Sequence, residues 1–132
     1  MNWGKVLLGG VLGAVAMNIA DFVMHGMMLS SEYTQYSAFS QEQSNPLHFF
    51  IIALAISLAG AVLFGKTRGS WPAGIGGGLQ FGFFAGLVTM FQPLYNTIVV
   101  EGFPYHLGWC WGGANVIGMM VLGAVLGLII KA

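Results

Sequence analysis

Asn18, Asp21 and His25 are spaced by three and four residues, so on an α-helix they share one face. A carboxylate and an imidazole at that spacing can pair by a hydrogen bond or an ion pair, hold a cation, or pass a proton. Thr89, Gln92 and Asn96 repeat the spacing later in the chain, and Asn115 adds one more amide. Three histidines, His25, His48 and His106, could ligate a metal or haem with help from Asp21, Met24 or Met28. Imidazole suits copper, zinc and iron, and thioether sulfur suits Cu(I). The three come from separate segments, however, with no local ligand spacing such as HxxxH. Histidines at a membrane interface are more often solvated, and Met24, Met27 and Met28 are read first as lipid-facing or core-filling residues. No cofactor is expected on the main reading; a transition metal or haem belongs to this alternative.

The elements that must position these residues follow from composition. Four bases cancel four acids, and charged residues are only 6% of the 132 where a soluble domain carries about 25%. A water-soluble globule is therefore excluded, and four scattered bases cannot form a nucleic-acid surface. The solvent for most of the chain is lipid. The single cysteine, Cys110, excludes an internal disulfide framework.

A hydrocarbon layer needs roughly 20 apolar residues per helix. Uncharged runs of that length cover about 6–29, 47–65, 72–100 and 105–130, with Asp21 as the only charge inside one. The expected fold is all-α: a single integral domain over residues 1–132, built as a transmembrane four-helix bundle. The only sizeable loop runs from Ser30 to Pro46, where Tyr33, Tyr36 and Phe39 at three-residue spacing allow a short interfacial helix. KTRGSW joins the second and third spans tightly enough to predict an antiparallel hairpin. MNWGK followed by VLLGGVLGAVA, with Ala14, Val15 and Ala16 as a small triplet, has the form of a secretory signal and is read as a retained signal-anchor helix.

Lys5, Lys66, Arg68 and Lys131 fall at the two ends and in the second connection, which four spans place on one side. Short basic segments stay cytoplasmic, so both termini are expected inside and the long loop outside. Glu32, Glu42 and Glu101 fall on the opposite side. Trp3 and Trp71 mark the inner interface; Tyr33, Tyr36, Tyr95, Tyr105, Trp109 and Trp111 mark the outer one.

Helices in lipid associate through close backbone approach or interhelical hydrogen bonds. Gly74, Gly78, Gly82 and Gly86 form an uninterrupted stripe on the third span, and Ala53, Ser57, Ala61 and Gly65 form one on the second. Gly9 with Gly13, Gly10 with Ala14, Gly108 with Gly112 and Gly123 with Gly127 supply the others. A stripe left over after internal packing would be available to another subunit. Pro93 cannot donate to the carbonyl of Thr89, so a kink or an inserted polar partner is expected there. No internal repeat indicates a duplicated transporter: VLGAV recurs at Val11 and Val121, but on helices of opposite direction.

Within GGVLGAVAMNIADFVMHGMML the chain resembles an uncharacterised bacterial family of small four-helix inner-membrane proteins, through Gly9, Gly10, Asn18, Asp21 and Gly26. The resemblance covers the first helix, and it implies a bacterial inner-membrane location without implying an activity. Fluoride channels and small multidrug transporters are similar in size and helix count. This chain lacks the arginine-bearing first helix of the one and the Glu-bearing first helix of the other.

Polar residues gather in the outer half of at least three spans, while the inner half holds little beyond Gln80 and Ser57. A polar lining that stops halfway does not make a conduit. Phosphate loops, catalytic triads and paired core carboxylates are lacking, so no enzyme is expected. The expectation is a small non-catalytic multi-pass subunit of a larger membrane assembly, respiratory or photosynthetic, touching lipid and other membrane subunits or copies of itself. The alternative is an outward-facing transporter or binding protein for a cation, proton or small polar ligand centred on Asp21.

Overall fold

The computed structural model describes residues 1–39 and 45–131; Glu42, assigned above to the outer side, lies outside them. Helix α1 (Trp3–Asp21) starts at Asn2, whose side chain accepts from the Lys5 amide at 3.1 Å. Beyond Asp21 the winding widens into a π-helical stretch, Phe22–Met28, where the Leu29 amide reaches back five residues to the Met24 carbonyl at 3.0 Å. A single turn, α2 (Ser30–Tyr33), follows. Helix α3 (Pro46–Lys66) is capped by Asn45, and Pro46 occupies its first turn, where a missing N–H costs nothing. A 3-10 turn at Arg68–Ser70 leads into α4 (Gly74–Met90). A second 3-10 turn (Gln92–Tyr95), the short α5 (Asn96–Val99) and the long α6 (Tyr105–Ile129) complete the chain.

Four helical segments, Trp3–Met28, Pro46–Lys66, Gly74–Val99 and Tyr105–Ile129, are long and apolar enough to cross a membrane. Their limits fall within a few residues of the spans read from the sequence. The third is not one helix. Pro93 is buried where α4 ends and the chain rewinds as a 3-10 turn, and Asn115 Nδ2 donates to the Thr89 carbonyl at 3.5 Å. The break and the inserted polar partner expected at Pro93 therefore both occur.

Helix α1 packs between α3 and α6, and α4 packs against the far side of α6. The hairpin expected of the second and third spans does not form along their lengths, because the glycine face of α4 is taken by α6. A Cβ at Gly78 would overlap the Gly123 carbonyl, and one at Gly86 would lie 2.6 Å from the Val116 Cα. Only backbone against backbone fits such an approach, and α6 supplies it with Gly123 and Gly127. Helices α3 and α4 meet near their connection, where the Phe64 and Phe81 rings lie 5.1 Å apart and Trp71 packs edge-on to Phe81.

The other small-residue stripes are also used internally. Gly10 faces Leu58 of α3, Gly9 faces Leu126, Gly13 faces Leu122, and Gly112 faces the Met90 carbonyl. Ala53, Ser57 and Ala61 are buried. The apolar core, with Val6, Ala61, Phe64, Phe81, Leu122 and Leu126, occupies the half of the bundle nearer the bases. Apart from Ser57 and Gln80, the uncharged polar residues and the histidines of the spans lie in the other half, the histidine end.

Candidate functional site

Asp21 closes α1, with Oδ1 3.4 Å from the point a Cβ on Gly118 would occupy. The missing side chain on α6 thus makes room for the carboxylate at the α1/α6 seam. Asp21 and Asn18 are both half-buried, and among the described residues neither has a hydrogen-bond or ion-pair partner. The carboxylate is open to a cation or a hydrogen-bond donor from outside the chain.

His25 does not pair with Asp21. It pairs with Tyr33: His25 Nδ1 and the Tyr33 hydroxyl are 2.5 Å apart, and Trp111 Nε1 donates to the same hydroxyl oxygen at 2.8 Å. All three groups are satisfied when Tyr33 donates to the imidazole. The cause is the π-helical stretch, which turns the chain by less than the roughly 100° per residue of an α-helix. The face shared by residues 18, 21 and 25 in an ideal helix is lost just after Asp21. Single π turns are frequent at functional sites, and this one spans the stretch containing His25.

An aromatic cluster closes the histidine end. Phe39 lies 5.0 Å from Tyr33, and Phe103 meets Trp111 edge-on at 5.1 Å. The 30–39 segment thus folds back across the α1/α6 seam. The interfacial helix expected there is one turn long, Ser30–Tyr33; Tyr36 and Phe39 fall beyond it, and Tyr33 and Phe39 pack on Trp111 of α6. Burial pushes the Tyr33 hydroxyl above the ordinary tyrosine pKa, against the opposing effect of the Trp111 hydrogen bond.

The remaining polar residues do not join this site. Asn115 turns to α4 and Thr89, whose hydroxyl is itself held by the Gly86 carbonyl at 3.1 Å. Helix α6 therefore stands between two polar seams that the sequence suggested were one cluster. Gln92 is exposed, and Asn96 is half-buried on the far side with Thr89. The three histidines are not gathered either. His106 Nε2 approaches Glu32 Oε2 at 3.2 Å, His48 is exposed at the start of α3, and His25 is held by Tyr33. Among the described residues no group of three or more His, Cys, Asp or Glu could hold a metal ion. Cys110 is free and exposed.

Sequence reasoning missed two residues. Tyr33 and Trp111 were assigned as interfacial anchors, and nothing in their spacing signalled a shared contact with His25. Gln80, noted as a polar residue of the inner half, is exposed on the side of α4 turned away from α6. No protein-family model matches the chain, and neither a curated protein nor a solved structure does.

Proposed function

We propose that this chain is a small, non-catalytic multi-pass subunit of a larger membrane assembly, with both termini cytoplasmic in a bacterial inner membrane. The observation that carries the reading is Gln80. It is exposed, and among the described residues it has no hydrogen-bond partner. Six residues from the start of α4, it lies about 9 Å along the helix from the start of the span.

An amide facing hydrocarbon without partners is costly, and a neighbouring transmembrane helix is what ordinarily satisfies it. Gly76 lies one turn away on the same face, and a Cβ there would meet no atom within 4 Å, so a partner backbone can approach closely beside the amide. Asp21 and Asn18 make a second demand of the same kind on α1. Leftover glycine stripes no longer support this reading, because the fold uses them; unsatisfied polar groups at membrane depth do.

A photo-crosslinker at the exposed position 84, one turn from an intact Gln80 on the same face and activated in native membranes, tests it. The expected result is a protein adduct at position 84 and lipid adducts alone from the same crosslinker at the exposed Val88. Lipid adducts alone at both positions would overturn the reading.

A further inference from the structure

Arg68 was read from the sequence as a topology marker, one more base on the cytoplasmic side. The structure adds a second role: the residue is only 7% exposed. Its Nε donates to the Ile130 carbonyl at 2.8 Å, and Nη1 donates to the carbonyls of Trp71 at 2.9 Å and Pro72 at 3.2 Å. The guanidinium also lies 5.3 Å from the centre of the Phe64 ring. These contacts tie the end of α6 to the α3/α4 connection, which is a sufficient structural role for three of its N–H groups. They leave Nη2 over. Among the described residues it is the one buried side-chain nitrogen or oxygen without a hydrogen-bond partner.

An arginine is always charged, and among the described residues no carboxylate pairs with it. Two clefts, of about 340 and 380 Å³, are both lined by Arg68. The first also has Lys5 and Lys131 on its walls, and the second has Lys131 with Gly74 and Gly127. The described acids lie at the other end of the bundle or, like Asp21, in its other half. Three positive charges, an arginine with two unused donors and open space between them make a receptor for an anion. Guanidinium suits phosphate oxygens in particular, because its planar fork can bond two at once.

We propose that the clefts around Arg68 bind a phosphate group, with the Arg68 guanidinium as the fixed charge and Lys5 and Lys131 as flanking charges. At the basic end of a four-span bundle, beside the interfacial Trp71, this is the depth of lipid phosphates, and basic pockets between helices are known receptors for anionic headgroups. The site rests on the chain spanning a membrane and is independent of whether the chain is a subunit of an assembly.

The test uses the purified full chain in nanodiscs of phosphatidylcholine, with and without phosphatidylglycerol, and in detergent with inorganic phosphate. Retained lipid is read by native mass spectrometry and stability by thermal melting. Phosphatidylglycerol should be retained in preference to phosphatidylcholine and should raise the melting temperature. Lys5→Gln with Lys131→Gln, both at exposed positions, should weaken that preference roughly twenty-five-fold, at about fivefold per lysine. Arg68→Gln should abolish it, but loss of the three carbonyl contacts can unfold the chain, so the lysine pair carries the decision. If inorganic phosphate stabilises wild type as much as phosphatidylglycerol does, and the lysine variant removes both effects, the phosphate site stands with a free anion as its ligand. Equal retention of the two lipids with no response to phosphate, or a preference unchanged in the lysine variant, would overturn the proposal.

Discussion

Tyr33 shows how one side chain can organise an end of the bundle. Its hydroxyl receives the Trp111 indole N–H and faces His25, so the π-helical stretch, α2 and the distant α6 converge on one oxygen. Tyr33→Phe removes that oxygen and should cost about 1 kcal/mol in detergent unfolding. The pH dependence has a definite sign. Because burial raises the folded-state pKa of Tyr33, its contribution is fully present below the ordinary tyrosine value and is lost as pH rises from there through the folded-state value. Melting temperatures measured through the alkaline range should therefore fall less steeply for Tyr33→Phe than for wild type; equal slopes would remove Tyr33 as the cause. Asp21 was legible in the sequence as the one acid inside a span, but its separation from His25 was not. That separation depends on a change of winding which no local residue pattern announces.

At the scale of elements, glycines decide which helix faces which. The pairing of α4 with α6 requires Gly78 against Gly123, whereas Gly76, two residues earlier, borders open space. Gly78→Ala should destabilise the chain by about 1–3 kcal/mol through enforced separation of the two helices. Gly76→Ala should be neutral or stabilising by up to about 1 kcal/mol in the isolated chain, because alanine is the better helix former. Reversible unfolding in mixed micelles measures both, and similar losses for the two variants would contradict the assigned interface. The spans themselves were readable because apolar length is a one-dimensional property. The helix neighbours were not. The short KTRGSW connection suggested that α3 and α4 would pair, yet backbone complementarity between residues some 45 positions apart, Gly78 and Gly123, prevailed. At Pro93 a local rule was enough: a lost donor predicted a break, and Asn115 supplied the partner.

For the molecule as a whole, the two ends of the bundle have different chemistry. One end gathers Lys5, Arg68 and Lys131 around two clefts; the other closes under aromatic rings with Asp21 beneath them. Between the ends, all four spans expose large apolar side chains, among them Leu8, Ile52, Val88 and Ile117, as expected of helices bathed in lipid. Gln80 breaks that pattern on α4. The sequence disclosed that Gln80 lay inside a span, but its direction became readable only once α6 was known to occupy the opposite face. The account rests on that direction, and the most direct measurement is the mass of the particle released from native membranes under conditions that keep membrane assemblies intact. The expected result is the 14.0 kDa chain bound to at least one further protein chain, with a larger share of free chain after Gln80→Leu. Wild type released as a single chain carrying only lipid would contradict it.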